Sequence, residues 1–366
     1  MGIFDFGTQD HEQVVFCNDP ATGLKAIIAI HDTTLGPALG GCRFWNYKSE
    51  EDAIFDVMRL SRGMTYKAAV AGLDLGGGKS VIIGDPAKLK SEDFFRAFGR
   101  FINNLNGRYI TAEDVNIKVE DMNIVAKETS YVTGISSRPG GSGDPSPITA
   151  LGVFAGIKAC VKHKLGKNSV DGLTIAVQGV GSVGHHLCQY LSKEGAKLIV
   201  ADINNEAVKA ISLECNAQVV SVDEIVSENA DVFSPCALGG ILNDASIAKI
   251  KAPIIAGAAN NQLLDEDRHD QMLVEKGILY APDYVINAGG LINVAHELKG
   301  YNADAAKKEA LGIYDTMLKI FNEAEKKKIP THKASNSIAE ARLKEAGKGQ
   351  SRRLDKNFDN QAWITV

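Results

Sequence analysis

The hydrophobic pattern in the first part of the chain predicts a mixture of strands and helices. Apolar runs at Val14–Cys17 and Leu24–Ile30 predict two strands. Ser49 is a typical N-cap residue, and the apolar positions after it recur at helical spacing, which predicts a helix. A short apolar run at Val81–Ile83 predicts a buried strand, and Ser91 precedes a second helix with an apolar face of phenylalanines.

The pattern changes after residue 172, where strands and helices begin to alternate. Mostly apolar segments at Leu173–Val177, Lys197–Ala201, Asp231–Ser234 and Pro253–Ala256 predict parallel strands with helices between them. Such alternation predicts a doubly wound α/β sheet of the Rossmann type. The tail from Asp304 onward is predicted to be helical and charged.

A turn-rich stretch, Ser136–Pro147, separates the two patterns and contains three glycines and three prolines. Such a composition is typical of a loop or a hinge between domains. The 366 residues also exceed one ordinary hydrophobic core, which favours two domains. We therefore predict an N-terminal mixed α/β domain at 1–147, a C-terminal Rossmann-type domain at 148–333, and a cleft between them.

Composition narrows the class of protein without identifying it. Hydrophobic residues make up 45% and charged residues 23% of the chain, as in ordinary soluble enzymes. The net charge of -5 gives no reason to expect nucleic acid as a partner, and no apolar stretch is long enough for a membrane span. The N-terminus lacks a secretory pattern, and the six cysteines form no C-x-x-C pair. We expect a cytoplasmic protein with reduced thiols and no metal site.

A glycine loop in the second part predicts a dinucleotide site. Gly179–Gly184 has the G-x-G-x-x-G spacing, follows a predicted strand and opens a predicted helix. Gly179 permits the tight turn, Gly181 lets a pyrophosphate approach, and Gly184 lets helix and strand pack. Asp202 ends the next strand, 23 residues after Gly179. A carboxylate there binds the adenosine ribose and repels a 2′-phosphate, which favours NAD over NADP.

Two lysines and an acidic pair suggest the chemistry. Lys79 follows three glycines, Lys67 lies twelve residues earlier, and Glu113–Asp114 follows later in the same part of the chain. Glycines let a substrate approach the backbone, and a lysine desolvated there can lose its proton near neutral pH. A P-loop for ATP is excluded, since Leu73 replaces a required glycine and a strand is predicted where a helix is needed.

Several segments in one order closely resemble the leucine/phenylalanine/valine branch of the amino-acid dehydrogenase superfamily, which includes glutamate dehydrogenase. The resemblance covers nearly the whole chain, and segment 107–114 looks most like the leucine enzymes. The other segments that carry it are His31–Gly41, Leu60–Lys67, Leu75–Lys79, Ala256–Gln262 and Ala281–Gly290.

The resemblance implies NAD-dependent oxidative deamination of an L-amino acid to a 2-oxo acid and ammonia. Lys67 matches the lysine that pairs with the substrate carboxylate, and Lys79 matches the lysine that activates water for attack on the iminium intermediate. Asp114 matches the aspartate that exchanges protons with the substrate amino group. These three are the predicted catalytic residues.

The resemblance also implies ligand-binding residues. Gly40 and Gly41 would bring backbone groups against the substrate, and Asn261 or Asn260 would position the amino group or the nicotinamide ribose. His185 lies on the helix surface beside the cofactor and is not expected to be a catalyst. The full set of implied cofactor-binding residues is Thr149, Gly179, Val180, Gly181, Ser182, Val183, Gly184, His185, Asp202, Ile203, Ala237, Ala258 and Asn260.

The implied pocket for the substrate side chain is apolar. It comprises Leu39, Ala112, Thr133, Leu291 and Val294, of which all but Thr133 are apolar, and Met64 is a further implied substrate-binding residue. No cation is present to hold a side-chain carboxylate, so glutamate would leave a buried charge unpaired. A branched-chain aliphatic substrate is favoured, with leucine first and overlap with valine and isoleucine. Ala112 matches the leucine enzymes, whereas Leu291 departs from their usual valine and matches the phenylalanine enzymes.

Alternatives remain at this stage. The same family includes phenylalanine, valine and tryptophan dehydrogenases, and a non-catalytic NAD-binding sensor could use the same scaffold. The resemblance further implies a homo-oligomer between dimer and octamer. It also implies a C-terminal helix, at about 334–366, that returns to the first domain.

Overall fold

The computed structural model describes residues 11–136 and 141–348, which form two compact units. The first unit comprises described residues up to Asp144 together with 294–303 and 339–348. The second unit comprises Pro145–Asn293 and Asp304–Ile338. Parts of the predicted hinge, at 137–140, and of the predicted C-terminal helix, at 349–366, lie outside the described residues.

The first unit contains a five-stranded mixed sheet in the order β1-β2-β4-β3-β5. Strands β3, β4 and β5 are mutually parallel, whereas β1 and β2 run antiparallel to their neighbours. The strands are β1 (Gln13–Asp19), β2 (Leu24–Asp32), β3 (Ala38–Trp45), β4 (Gly76–Ile83) and β5 (Tyr109–Glu113). The helices are α1 (Glu50–Val70), α2 (Pro86–Leu89), α3 (Glu92–Asn103) and α4 (Val119–Val125).

Helices pack on both faces of this sheet. Ala53 and Val57 of α1 join Val81 of β4 in one buried cluster. On the opposite face, Phe94 of α3 stacks on Phe44 of β3 with 5.5 Å between ring centroids. The predicted N-caps of α1 and α3 are confirmed, because each serine accepts a hydrogen bond from a backbone N–H of the first turn.

The hydrophobic pattern alone did not predict β3 and β5. Glycines in a strand interior weaken the strand signal, and β3 contains the pair Gly40 and Gly41. Gly40 is nevertheless required in the strand, because a Cβ atom there would lie 1.7 Å from the carbonyl oxygen of Gly78. The glycine pair therefore belongs to a buried strand rather than a loop.

The second unit contains a six-stranded parallel sheet in the order β11-β10-β9-β6-β7-β8. Its strands are β6 (Thr174–Gln178), β7 (Lys197–Ala201), β8 (Gln218–Val219), β9 (Val232–Pro235), β10 (Ile254–Ile255) and β11 (Leu279–Tyr280). Two wings grow outward from β6, which is the doubly wound order of a Rossmann fold. The predicted fold class is confirmed.

Ten further helices are described. They are α5 (Ser146–Leu165), α6 (Ser182–Lys193), α7 (Asn205–Cys215), α8 (Asp244–Lys249), α9 (Glu266–Glu275), α10 (Asp283–Ile286), α11 (Gly289–Glu297), α12 (Ala303–Leu311), α13 (Ile313–Lys327) and α14 (Thr331–Gly347). Helices α12 to α14 confirm the predicted helical tail. None of the described helices combines the length and apolar composition that crossing a lipid bilayer requires.

The last part of α14 is attached to the first unit through Arg342. Its guanidinium donates to the carbonyl oxygens of Ala69 at 2.9 Å and Gly72 at 3.0 Å, and to the Asp74 carboxylate at 3.0 Å. Carbonyl groups at a helix C-terminus lack partners within the helix, so a cation there satisfies them. Arg342 thus caps the end of α1.

Candidate active site

An ion pair between the buried Lys79 and the partly exposed Asp114 links β4 to the end of β5. The ammonium of Lys79 lies 2.5 Å from a carboxylate oxygen of Asp114, and Lys79 is only 6% exposed. Strand β3 lies between these two strands, and its Gly41 provides the room for the pair. A Cβ atom on Gly41 would lie 2.8 Å from the Cβ atom of Asp114, so a side chain there would displace the carboxylate.

Arg43 extends this pair into a chain of charged groups, which the sequence analysis missed. Its Nε atom lies 3.6 Å from Asp114, and its Nη1 donates to Asp56 at 2.8 Å. The hydroxyl of Tyr47 donates to the same Asp56 oxygen at 2.7 Å. Arg43 follows Gly41 by two positions, so both lie on the same face of the sheet. The alternation of side chains along the strand was the sequence signal that could have placed Arg43 in the site.

The two acidic residues at the end of β5, Glu113 and Asp114, respond differently to this environment. Burial works against the charge of Asp114, but the positive charges of Lys79 and Arg43 outweigh burial and hold its pKa below the ordinary value. Burial, together with nearby carboxylates of which Asp144 is the first, raises the pKa of Glu113 to about 7. Asp114 is therefore the carboxylate that stays ionised beside a lysine.

Helix α1 lies directly against β4 at Gly77. A Cβ atom on Gly77 would lie 2.1 Å from the backbone nitrogen of Thr65, so only glycine permits this approach. The Thr65 hydroxyl forms a hydrogen bond of 2.8 Å with Nδ1 of His31 on β2. Met64 and Lys67, which flank Thr65 on α1, are half-buried.

The register of the strands gathers three predicted pocket residues on one face. Leu39 pairs with Gly77, and Gly41 pairs with Ala112. Because paired residues and alternate residues share a face, Leu39, Gly41 and Ala112 lie on the same face as Lys79. Leu39 and Ala112 are both buried. An apolar wall therefore adjoins the ion pair.

The segment that contains Thr133 lies beside β5, next to this apolar wall. The backbone N–H of Thr133 donates to the Thr111 carbonyl at 2.9 Å, which aligns this segment with β5. Its hydroxyl donates to the same carbonyl at 3.4 Å, so this polar atom has a partner within the protein. On α11, the predicted pocket residues Leu291 and Val294 are buried as well.

Gly40 has a different environment from Gly41. Its carbonyl accepts a 2.7 Å hydrogen bond from the buried Tyr109 hydroxyl. The same hydroxyl lies 2.9 Å from the Ser80 hydroxyl. The structure thus gives Gly40 a packing role that the sequence analysis did not include.

The three glycines of the dinucleotide loop have three different surroundings. A Cβ atom on Gly179, whose φ is +95°, would lie 2.8 Å from Ala237, and one on Gly184 would lie 2.0 Å from the Gly179 carbonyl. A Cβ atom on Gly181 would meet nothing within 4 Å. Gly181 is the N-cap of α6, whose free N–H groups favour an anion. The loop therefore fits a pyrophosphate at Gly181.

Asp202 lies beside this loop at the end of β7. One carboxylate oxygen accepts from the Val180 N–H at 2.8 Å, and the other accepts from the Asn204 N–H at 2.8 Å. Each carboxylate oxygen can accept a further hydrogen bond, so the group fits a ribose diol. Ile203, the next residue, is 90% exposed.

Other predicted cofactor residues follow the strands β9 and β10. Ala237 is exposed just after β9, and Ala258 and Asn260 follow β10. The side-chain nitrogen of Asn287, which sequence reasoning missed, donates to the Ala258 carbonyl at 3.0 Å and to Oδ1 of Asn260 at 2.7 Å. Asn287 thereby fixes the loop that carries Asn260 and Asn261.

Two further predicted cofactor residues, Thr149 and His185, lie on helices and have partners within the protein. The Thr149 hydroxyl donates to the Pro145 carbonyl at 2.9 Å within α5. The His185 ring lies 3.2 Å from the Glu214 carboxylate on α7, as expected for a helix-surface residue. No group of three or more possible metal ligands occurs in the part of the chain that the structure describes.

Comparison with known proteins agrees with both units. A profile for the Glu/Leu/Phe/Val dehydrogenase dimerisation domain matches residues 11–131, and one for Glutamate/Leucine/Phenylalanine/Valine dehydrogenase matches 140–204 and 200–350. Leucine dehydrogenase of Geobacillus stearothermophilus is 58% identical over 352 residues, which are 96% of each chain. L-tryptophan dehydrogenase of Nostoc punctiforme is 51% identical and covers 94% of this chain and 96% of its own.

A solved structure shows the same fold. The crystal structure of L-tryptophan dehydrogenase from Nostoc punctiforme has a TM-score of 0.81 at 50% identity and covers 92% of this chain and 97% of that chain. Both the sequence profiles and the full-length relatives confirm the resemblance. The chain belongs to the glutamate/leucine/phenylalanine/valine dehydrogenase family of oxidoreductases.

Proposed function

We propose that the protein catalyses NAD-dependent oxidative deamination of a branched-chain aliphatic L-amino acid, with L-leucine preferred over valine and isoleucine. The observation that carries this proposal is the buried pair of Lys79 and Asp114 beside an apolar wall. The 58% identity to a leucine dehydrogenase over 96% of each chain supports it.

The chemistry follows from the charges of three side chains. Lys67 pairs with the substrate carboxylate, which fixes the α-carbon. The substrate ammonium competes with Lys79 for the Asp114 carboxylate, and Asp114 then accepts a proton from it. Lys79, released from the ion pair, loses its proton to solvent, and its neutral amine then takes a proton from the water that attacks the iminium carbon. Asp114 exchanges protons again as the carbinolamine releases ammonia.

The second unit supplies the site for NAD. When bound, NAD accepts the hydride that leaves the substrate α-carbon. The open space at Gly181 and the start of α6 suit the pyrophosphate, and the Asp202 carboxylate suits a ribose without a 2′-phosphate. Thr149, Ala237 and Asn260 are proposed to bind the nicotinamide half.

Substrate preference is assigned from the apolar wall. Leu39 and Ala112 are buried, and the Thr133 hydroxyl is bonded to a backbone carbonyl. A substrate with a charged side chain would therefore lose its hydration without gaining a partner. A second candidate substrate is L-phenylalanine. Leu291 favours it, because the phenylalanine enzymes carry leucine at the matching position. Pocket differences of a methylene are worth only about 1–3 kcal/mol, so overlap among apolar substrates is expected.

The test is a panel of L-amino acids with NAD, followed by the absorbance of NADH. We expect the highest kcat/KM with leucine, lower values with valine and isoleucine, and little turnover with glutamate. A higher value with phenylalanine than with leucine would assign the second candidate. If no amino acid is turned over while NAD still binds, the chain is an NAD-binding sensor and the proposal is wrong.

A further inference from the structure

Glu297, the last residue of α11, binds two separate backbone segments of the first unit. One of its carboxylate oxygens accepts from the Gly134 N–H at 3.0 Å and from the Ser142 N–H at 2.8 Å. The Ser142 hydroxyl donates to the same oxygen. Hydrogen bonds to a charged acceptor are stronger than those between neutral groups, so this carboxylate is a firm attachment point.

One of the attached segments carries a proposed pocket residue. Gly134 directly follows Thr133, whose N–H bonds to the Thr111 carbonyl beside Ala112. The backbone at Thr133 is therefore held by β5 through its own N–H and by Glu297 through the N–H of the next residue. Gly134 has a φ of +72°, a left-handed conformation that glycine adopts without strain.

The helix that carries Glu297 also carries a proposed pocket residue of the first unit. Val294 lies one turn before Glu297 on α11 and is buried. Because consecutive turns of a helix are joined by backbone hydrogen bonds, a displacement of Glu297 also displaces Val294. The Glu297 carboxylate thus links the position of Val294 to that of Thr133 within the first unit.

We propose that Glu297 is a positioning residue that sets the size of the pocket for the substrate side chain. This inference rests on the proposed function, because it concerns the amino-acid substrate of the same site. Loss of the carboxylate separates Val294 from Thr133, which loosens the pocket. The change acts on the selection among substrates, whereas the groups that perform the chemistry remain in place.

The test compares Glu297→Ala and Glu297→Gln with the unchanged protein, using leucine, valine and phenylalanine with NAD. In Glu297→Ala we expect the ratio of kcat/KM for leucine to that for phenylalanine to fall by about tenfold or more. Most of this fall should come from a higher KM for leucine, with the KM for NAD unchanged. Glu297→Gln keeps an oxygen acceptor and should restore most of the ratio.

Two further variants complete the design. Ser142→Ala removes one of the three donors and should lower the ratio by a smaller amount. Glu51→Ala, at an exposed position of α1, is the matched control and should leave the ratio unchanged. Thermal unfolding of every variant shows whether it folds. If Glu297→Ala does not fold, Glu297→Gln and Ser142→Ala decide the question, because both still have acceptor and backbone donors.

The result that would overturn the inference is an equal loss for all three substrates, with the ratio preserved in every variant that folds. Such a result would show that Glu297 serves stability alone. Failure of the proposed function is distinct, since it would be seen in the unchanged protein as absence of leucine turnover before any variant is compared.

Discussion

At the scale of single residues, two cations share the Asp114 carboxylate. Lys79 lies 2.5 Å away, and Arg43 lies 3.6 Å away on the other side. Arg43 is itself held by Asp56. When a substrate ammonium replaces Lys79 beside Asp114, Arg43 therefore still compensates the negative charge of the carboxylate.

Replacement of Lys79 tests the proposed base. We expect Lys79→Ala to lower kcat by roughly 10²–10⁴-fold, the usual contribution of a general base, with the affinity for NAD little changed. Initial rates with leucine and a separate NAD titration measure the two effects. Lys88→Ala, on an exposed lysine of α2, is the control. Near-normal turnover in Lys79→Ala would exclude the assigned role.

Replacement of Arg43 tests the electrostatic network. Arg43 is one of the charges that lower the pKa of Asp114, so Arg43→Met should raise that pKa. Asp114 is then protonated at higher pH, and the acid limb of the kcat/KM profile should move to higher pH. Arg43→Lys keeps a cation and should move the limb less. An unmoved acid limb in a folded Arg43→Met protein would contradict this account.

At the scale of elements, loops at the carboxyl ends of parallel strands carry the proposed groups. Asp114 follows β5, the glycine loop follows β6 and Asp202 follows β7. Within each sheet, parallel strands bring their carboxyl ends to one edge, as β3 and β5 do in the first unit and β6 and β7 do in the second. Lys79 is an exception, because it lies within β4 and reaches Asp114 across Gly41.

The carboxylate that follows β7 is proposed to determine the choice between NAD and NADP. Asp202→Asn removes the negative charge but keeps an oxygen to accept the Val180 N–H. We expect kcat/KM with NADP to rise several-fold relative to NAD, because the repulsion of the 2′-phosphate is lost. Rates with both cofactors at saturating leucine measure this ratio. A ratio equal to that of the unchanged protein would reject the role of Asp202.

The packing of α9 against the start of α14 predicts a pH-dependent stability. Burial raises the pKa of Asp270 to about 6, although His332 and the first N–H groups of α14 oppose the rise. The native protein therefore binds a proton more tightly than the unfolded chain. The stability that protonated Asp270 contributes is fully present below the pKa of this residue in the unfolded chain, and it is lost as pH rises through about 6.

Asp270→Asn removes this titration. As the pH rises from about 4 to about 8, the free energy of unfolding of Asp270→Asn should increase relative to that of the unchanged protein, by up to roughly 3 kcal/mol. Chemical unfolding at both pH values measures the difference. Asp267→Asn, at an exposed position of the same helix, should show no such gain. A difference independent of pH would show that Asp270 is not protonated in the native state.

At the scale of the whole molecule, the family profile points to self-association through the first unit. Residues 11–131 match a dimerisation domain. Phe16 on β1 and Phe55 on α1 are 64% and 69% exposed in this unit, although large exposed apolar side chains are unfavourable in a monomer. Among the described residues, β1 is also the edge strand of its sheet, and an edge strand is a surface on which another chain can pair.

We therefore expect light scattering to give a mass of at least twice that of one chain. Phe55→Asp should shift the population toward monomer, because it places a charge in a surface that becomes buried. Leu213→Asp, at a site 78% exposed in the second unit, is the control and should leave the mass unchanged. Should the unchanged protein have the mass of one chain, the oligomer prediction is wrong.

The sequence by itself determined the elements that depend on local chemistry. The caps at Ser49 and Ser91, the apolar strands β6 and β7, and the glycine loop at 179–184 each follow from side chains within a few residues. Local patterns suffice there because capping, alternation and tight turns are interactions between near neighbours. The family segments added the proposed catalytic residues in the same way, as short matches along the chain.

Only the tertiary structure decided what depends on groups far apart in sequence. Strand β3 was hidden by Gly40 and Gly41, and those glycines have meaning only beside β4 and β5. The placement of Arg43 against Asp114 and the attachment of Glu297 to Gly134 join residues separated by 71 and 163 positions. Such contacts arise from packing between elements. Local patterns do not predict them, because many sequences with the same periodicity have different side chains at the contacting positions.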